Sequence, residues 1–206
     1  MKAFIYVGGS VEPNNITEHP KSGDLTIAAD SGLKNALLLG ERVDIFLGDM
    51  DSVGDLKPPK EAEVMTFPPK KDYTDAQLAV EVAIERGADD IVLVGGLDGR
   101  LDHTLSLLAI LEDLNLRGIH ALAVSGYNRA RYIKSTSTLI PRSGYKYISI
   151  VAADEKVKGV SAEGCIYPLK NALLSRRLQY AISNEIEGNC ALISVRRGGI
   201  YIIESV

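Results

Sequence analysis

Several carboxylates in this sequence directly follow short apolar runs, an arrangement that suits the binding of a divalent cation. The stretch FLGDMDS, residues 46–52, places Asp49 and Asp51 one residue apart after the apolar run VDIFL. In extended backbone such a pair points the same way, with roughly 6–7 Å between the two positions. Two like charges at the end of a buried strand repel each other, whereas Mg²⁺ prefers carboxylate oxygens and removes the conflict. The pair therefore predicts a magnesium site, which commonly brings a polyphosphate with it.

Further acidic residues occur where other apolar runs end or where helical patterns begin. Asp30 follows the run LTIAA, Asp72 and Asp75 lie at the start of a helical pattern, and Asp102 with His103 follows GGLDGRL. In open α/β sheets, ligands bind beyond the carboxyl ends of the strands. We therefore expect these side chains to gather at one edge of a sheet.

Each of these residues also has a purely structural interpretation. Asp30 and Asp49 suit turns, Asp102 suits the N-cap of a helix, and His103 on its own suits a structural hydrogen bond. The run TDAQ, residues 74–77, fits a helix capping box. These interpretations do not account for so many acidic residues at one predicted sheet edge.

Basic residues near the same positions suit phosphate binding. Arg100 follows a glycine turn, and a guanidinium there can bind phosphate oxygens in a bidentate manner. Lys70 and Lys71 either do the same or form a solvated pair after two prolines. The sequence lacks G-x-x-x-x-G-K-[ST], and no G-x-G-x-x-G follows the first apolar run. A P-loop enzyme and a standard dinucleotide-binding fold are therefore disfavoured.

The elements that must position these residues fall into two halves with different periodicity. In the first half, runs typical of strands buried on both faces alternate with helical patterns. The strand-like runs are AFIYVGG, LTIAAD, VDIFLGD, DIVLVGG and HALAVSG, and the helical ones are LKNALLLG, DAQLAVEVAIERG and HTLSLLAILEDLNLRG. The second half is strand-like, with RYIKSTSTLI, KYISIVAA, LQYAISNE, CALISVRR and IYIIES. We predict an α/β fold in which residues 1–126 form a mostly parallel sheet with helices on both faces and residues 127–206 form a C-terminal antiparallel β-sandwich.

Glycines occur where helices are expected to end and where a turn is expected between strands. Gly87 and Gly118 stand where helix C-caps favour a residue with positive φ. Gly198-Gly199 predicts a hairpin turn between the last two strand-like runs.

Composition limits the class of protein. The 206 residues are 46% hydrophobic and 24% charged, which is typical of a packed soluble fold. No apolar run is long enough for a membrane helix, and the start MKAFIYVGGS resembles a first strand more than a secretory signal. A net charge of −4 argues against a broad nucleic-acid surface. The two cysteines, Cys165 and Cys190, lack metal-ligand spacing and suit the reducing cytoplasm.

Taken in order, the motifs AADSG, GDMDS, KKDYTDAQLA, GGLDGRLDH, GCIYPL and ISNE resemble those of the thiamine pyrophosphokinase (thiamine diphosphokinase) family. The resemblance implies a homodimer with sites between subunits that converts ATP and thiamine to thiamine diphosphate and AMP. It implies Mg²⁺ as the metal, held by Asp49, Asp51 and Asp75. The predicted catalytic residues are Asp49, Asp51, Asp72, Asp75 and Arg100. The predicted nucleotide- and substrate-binding residues are Asp30, Lys71, Gln77, Arg100, Asp102, His103, Tyr167, Ser183 and Asn184.

The sequence departs from that family at two places. Some members carry a tryptophan near the acceptor, but this chain has none. Tyr167 is the predicted substitute. The alternative interpretation is that Tyr167 is an ordinary aromatic residue of the sandwich core. The family motif S-x-S-N is replaced by AISN, so one hydroxyl before Ser183 and Asn184 is missing.

Two other functions fit part of the sequence. Residues 49–53, DMDSV, satisfy D-x-D-x-[TV], the nucleophile loop of haloacid-dehalogenase-like phosphatases, in which Asp49 would form an aspartyl phosphate. That loop normally follows the first strand of its domain, however, and here it follows the third. The second alternative is a non-catalytic module that binds a nucleotide or thiamine on the same scaffold.

Overall fold

The computed structural model of the chain describes residues 1–48, 56–66 and 73–206. Within these ranges the strands form one sheet of nine and one sheet of four. In chain order the strands are β1 (Lys2–Tyr6), β2 (Leu25–Ala29), β3 (Ile45–Leu47), β4 (Glu63–Met65), β5 (Asp90–Val94), β6 (His120–Val124), β7 (Asn128–Lys134), β8 (Ser137–Pro141), β9 (Tyr147–Ala152), β10 (Lys156–Glu163), β11 (Leu169–Ser175), β12 (Cys190–Arg197) and β13 (Gly199–Ser205).

The large sheet has the order β4-β3-β2-β1-β5-β6-β7-β13-β9. The first six strands in that order, from β4 to β6, pair parallel with one another. Successive strands are added on one side of β1 as far as β4, and β5 then pairs with the other side of β1. The direction of winding therefore reverses between β1 and β5. Such a switch point opens a crevice at the carboxyl ends of the strands, where α/β proteins bind their ligands.

Helices cover both faces of the parallel strands, as the periodicity predicts. They are α1 (Gly32–Leu38), α2 (Asp75–Glu85) and α3 (Leu101–Leu116). Consecutive strand residues point to opposite faces. On β1, Phe4 accordingly packs in the cluster that contains Leu33 of α1, whereas Ile5 packs with Ala83 of α2 and Leu111 of α3.

The two predicted helix C-caps are also confirmed. Gly87 follows the end of α2 with a φ of 91°, and Gly118 follows the end of α3 with a φ of 76°. Both residues adopt the left-handed backbone that terminates helices. None of the helices in the described ranges is both long and apolar enough to cross a membrane.

The second half contains the predicted antiparallel sandwich. The four-stranded sheet, in the order β11-β10-β12-β8, is antiparallel throughout. Its buried face, which includes Val160 and Ile193, packs against Ile150 of β9 and Ile202 of β13. The fold class predicted from the sequence is thus confirmed.

The sandwich nevertheless shares a sheet and a core with the first half. β6 and β7 pair antiparallel on either side of Gly126, so the large sheet continues across that position. Ala130 and Tyr132 of β7 are buried in the same cluster as α2 and α3. Hydrogen bonds and buried contacts therefore cross the boundary at residue 126. The division into domains of residues 1–126 and 127–206 remains a prediction.

Two local expectations in the second half are wrong. Gly198-Gly199 does not join a paired hairpin, because β12 belongs to the four-stranded sheet and β13 to the nine-stranded one. A Cβ at Gly199 would overlap the hydroxyl of Tyr132, so the glycine permits the chain to cross closely between the sheets. The run LQYAISNE forms no regular strand and makes only isolated bridges, partly because Ser183 has a φ of 58°.

Candidate active site

A cleft of about 430 Å³ lies at the carboxyl ends of the parallel strands. Gly8 follows β1, Asp30 follows β2 and Gly96 follows β5, so the cleft occupies the switch point of the sheet. The first turns of α2 and α3 form further walls, with Asp75 and Asp102 among the lining residues. The predicted gathering of acidic residues at one sheet edge is therefore present for three of the described aspartates, Asp30, Asp75 and Asp102.

Close packing of the loops after β1 and β5 shapes the floor of the cleft. A Cβ on Gly95 would lie 2.6 Å from the carbonyl oxygen of Val7 and 2.9 Å from Nδ2 of Asn35. The buried Asn35 on α1 donates from Nδ2 to the carbonyls of Val7 at 2.7 Å and Gly9 at 3.0 Å. Asn35 therefore ties α1 to the loop after β1, a role that the sequence pattern does not indicate.

Asp30 occupies an unfavourable backbone conformation that directs it into the cleft. Its φ is 50°, in the left-handed region that costs a non-glycine residue about 1–2 kcal/mol. Its backbone N–H donates to the carbonyl of Leu47 at 2.7 Å, which fixes it to the end of β3. Its Oδ1 is buried and has no hydrogen-bond partner among the described residues. Strain together with an unsatisfied buried acceptor is typical of a ligand site.

The start of α2 brings a second carboxylate into the cleft. Thr74 is the N-cap, and its hydroxyl oxygen accepts the N–H of Gln77 at 3.2 Å. This bond is one half of the predicted capping box. Asp75 occupies the first turn, where the helix dipole favours its negative charge, and it lines the cleft. Gln77 is not among the described residues that line it.

The start of α3 brings Asp102 and His103 to the cleft, whereas the guanidinium-bearing Arg100 just before them is not among the described residues that line it. Arg100 is the N-cap residue, and its Nη2 donates to Oδ2 of Asp102 at 2.6 Å. This hydrogen bond holds the pKa of Asp102 below its usual value of 3.8 and raises the pKa of Arg100. Both side chains are largely exposed, so the pair is weak and Arg100 can exchange its partner for a ligand. Asp102 is therefore not the N-cap, and His103 beside it lines the cleft.

A second, smaller cavity of about 80 Å³ lies in the sandwich. Its walls include Tyr167, Tyr180 and Asn184 together with apolar residues such as Ile148 and Ile193. Tyr167 is 69% exposed, so it is not the core aromatic of the alternative interpretation.

Near this cavity lie Ser183, which the sequence predicts as a substrate-binding residue, and Tyr180, which it does not. The backbone N–H of Ser183 donates to Oγ of Ser149 at 3.0 Å, next to Asn184 in the chain. Tyr180 was not predicted, although it stands two residues before the ISN motif. Its hydroxyl donates to the carbonyl of Leu173 at 2.9 Å.

Part of the predicted site lies outside the described residues. These residues are Asp49, Asp51, Lys71 and Asp72, together with Lys70. Among the described residues alone, no three acidic, histidine or cysteine side chains are grouped as a metal site. The free acceptor on Asp30 and the carboxylate of Asp75 in one cleft are nevertheless hard oxygen donors of the kind that Mg²⁺ prefers. The donor set therefore fits the predicted ion.

Fold and cleft together define an α/β protein whose larger cleft lies at a topological switch point and which carries an appended β-sandwich. The family model "Thiamin pyrophosphokinase, catalytic domain" matches residues 17–122. The model "Thiamin pyrophosphokinase, vitamin B1 binding domain" matches residues 136–200. The two matches span most of the sequence, and the chain belongs to the thiamin pyrophosphokinase family.

Individual relatives match this chain over its whole length. The thiamine pyrophosphokinase of Bacillus subtilis (strain 168) is 27% identical over 214 residues, covering 100% of this chain and 99% of its own. A crystal structure of the B. subtilis enzyme superposes with a TM-score of 0.86 at 24% identity, covering 100% of this chain and 99% of that one. One from Geobacillus thermodenitrificans gives 0.85 at 25% identity, with 100% and 98% covered. Neither the phosphatase nor the non-catalytic alternative is favoured by these matches.

Proposed function

We propose that the chain transfers a diphosphoryl group from ATP to the hydroxyl group of thiamine, giving thiamine diphosphate and AMP. The thiamine oxygen attacks the β-phosphorus, the bond from that phosphorus to the α,β-bridging oxygen breaks, and AMP leaves with that oxygen. The hydroxyl proton passes to a carboxylate or to water. The observation that carries the proposal is the meeting of Asp30, Asp75 and the start of α3 in one cleft at the switch point.

The walls of the cleft suit a nucleotide whose phosphates are complexed by a cation. Bare triphosphate would be repelled by Asp30, Asp75 and Asp102, which all line the cleft. The N-terminus of the sixteen-residue helix α3 attracts phosphate oxygens at the cleft. The exposed guanidinium of Arg100, next in the chain to that helix, is a further candidate to bind them. Leu107 and Ile110 give the cleft an apolar wall for the flat surface of a base or ring.

Asp49, Asp51 and Asp75 are the residues that would hold Mg²⁺, with Asp30 as a further oxygen donor. When bound, the ion supplies neutralisation of the charge on the β-phosphate and on the leaving AMP. The protein residues hold the reactants in line and exclude water, because transfer of this kind needs positioning more than covalent help. Asp72 is a candidate to accept the hydroxyl proton, and Lys71, Gln77 and His103 are candidates for contacts to the nucleotide.

The sandwich half is the proposed site of thiamine. Thiamine carries a positive charge on its thiazolium ring, and aromatic faces attract such cations. Tyr167 and Tyr180 are exposed and line one small cavity together with Asn184, and Ser183 precedes Asn184 in the chain. We further propose a cytoplasmic homodimer in which this half of one subunit meets the cleft of the other, so that each site is built by both subunits.

The direct test is AMP formation with ATP, Mg²⁺ and thiamine, compared with the same mixture lacking thiamine. The proposal expects AMP and thiamine diphosphate in equal amounts, and only with thiamine. Phosphate release without thiamine, with a trapped phosphoenzyme at Asp49, would instead identify a phosphatase. Binding of both ligands without AMP would identify a non-catalytic module.

A matched pair of variants tests the metal ligands within that assay. Asp51→Asn removes a charge at the predicted metal site and should lower turnover strongly in a folded protein. Asp113→Asn removes an exposed charge near the opposite end of α3 and should leave turnover unchanged. Equal rates for both variants would contradict a role for Asp51 in holding the ion.

A further inference from the structure

The segment of residues 181–187 hydrogen-bonds to β9 of the large sheet and to the loop between β10 and β11. On one side it pairs with β9, the edge strand of the large sheet. The backbone N–H of Ile148 donates to the carbonyl of Asn184 at 2.8 Å, and the N–H of Asn184 donates back at 3.0 Å. On the other side, the N–H of Ile166 donates to the carbonyl of Glu185 at 3.0 Å. The backbone of Asn184 is therefore fixed between β9 and the loop that carries Tyr167.

The side chain of Asn184 is occupied almost entirely by that loop and by its own neighbour. Its Oδ1 accepts the N–H of Tyr167 at 3.0 Å and the N–H of Glu185 at 2.9 Å. Its Nδ2 donates to the carbonyl of Tyr167 at 2.7 Å. An amide oxygen accepts two hydrogen bonds and an amide nitrogen donates two. Both acceptor positions and one of the two donors are thus in use before any ligand arrives.

The orientation of this amide follows from its partners. A flipped amide would turn its NH₂ group toward two N–H donors and its oxygen toward a carbonyl, which loses all three bonds. The arrangement is a two-way bond between one side chain and both backbone groups of Tyr167. It fixes the backbone of Tyr167 and so the point from which its side chain, 69% exposed, projects at the smaller cavity.

We propose that Asn184 is a positioning residue, which acts on thiamine through the ring of Tyr167 rather than by touching the ligand. This inference rests on the proposed function, because it requires thiamine to bind against that ring. It replaces the expectation that Asn184 itself seats the substrate. If Asn184 acts only through the ring, its removal weakens thiamine binding by no more than removal of the ring does. An aromatic contact of this kind contributes about 0.5–1.5 kcal/mol, or roughly 2- to 13-fold in binding.

A double-mutant cycle separates positioning from direct contact. Asn184→Ala should raise KM for thiamine about 5-fold, within the limit set by the ring, while KM for ATP stays unchanged. In a Tyr167→Ala background the same substitution should change KM for thiamine less than about 2-fold, because the ring on which it acts is gone. Asn189→Ala, at an exposed asparagine of the same half, is the matched control and should change neither constant. An equal rise in KM in both backgrounds would overturn the proposal in favour of a direct contact.

The two hydrogen bonds between the Asn184 side chain and the backbone of Tyr167 form a clamp, which a second measurement tests without any ligand. The chain has no tryptophan, so Tyr167→Trp creates a single fluorescent reporter at the position in question. Adding Asn184→Ala should increase the amplitude of subnanosecond depolarisation of that tryptophan. Asn184→Asp, which keeps Oδ1 but loses the Nδ2 donor, should give an intermediate amplitude. Identical anisotropy decays in the three proteins would overturn the clamp. A parent protein without thiamine-dependent AMP formation would refute the proposed function instead, so the two failures are distinguishable.

Discussion

Replacing Gly32 by alanine should disturb the cleft through a single backbone contact. Gly32 is the first residue of α1 and directly follows Asp30 and Ser31, which line the cleft. An added Cβ would overlap the carbonyl of Tyr6 and lie 2.7 Å from the backbone N of Val7. Real Cβ contacts essentially never fall below 3.0 Å, and neither backbone group can rotate away. The start of α1 must therefore move off β1.

The size of the effect follows from that displacement. Overpacking a close contact costs about 1–3 kcal/mol, and a shift of about 1 Å at a catalytic site costs about 100-fold in turnover. We therefore expect Gly32→Ala to lower the free energy of unfolding by about 2 kcal/mol. Thiamine-dependent AMP formation should fall by about two orders of magnitude.

Urea unfolding and the AMP assay together measure both consequences. Gly144→Ala is the matched control, because a Cβ there meets no atom within 4 Å and the residue needs no positive φ. Its stability should be unchanged or slightly higher, since alanine restricts the unfolded chain. A Gly32→Ala protein with the stability and turnover of the parent would refute the steric argument.

Three further substitutions test individual parts of the site. Asp30→Asn keeps the backbone conformation but removes the charge of a carboxylate whose buried Oδ1 has no partner among the described residues, so it should leave stability unchanged or raise it by up to about 1 kcal/mol while turnover falls; a loss of both would contradict a functional reason for the unsatisfied acceptor. Thr74→Ala removes the bond to the N–H of Gln77 and should cost about 1 kcal/mol in urea unfolding, which Thr74→Ser should restore. Arg100→Gln should return the depressed pKa of Asp102 toward 3.8 in an NMR titration. Because the folded pKa is lowered, the favourable interaction is present above the unfolded pKa and is lost as pH falls through the folded value. An unchanged pKa would show that Arg100 is not its cause.

Much of the fold could be predicted because its signals are local. Strands buried on both faces appear as continuous apolar runs, and the glycines after α2 and α3 mark where those helices end. The position of Asp30 at the sheet edge followed from its place after β2. These features depend on a few neighbouring residues, so the sequence pattern is enough to indicate them.

What escaped prediction depends on contacts between distant residues. Gly198-Gly199 suits a hairpin and a crossing between sheets equally well, and the buried Tyr132 decides between them. The alternation in LQYAISNE predicts a strand, but the left-handed backbone at Ser183 interrupts it. Asn35, Tyr180 and the clamp formed by Asn184 act on residues that no spacing rule connects to them.

The proposed reaction requires that aspartates from separate strand ends hold a divalent cation around the phosphates of ATP. A crystal structure with Mg²⁺, thiamine and α,β-methylene-ATP, whose replaced bridge cannot be cleaved, tests this claim directly. We predict a cation bound by oxygens of Asp49, Asp51 and Asp75, with the β-phosphate in the cleft between β1 and β5. A nucleotide bound elsewhere, or these side chains turned apart with no ion among them, would contradict it.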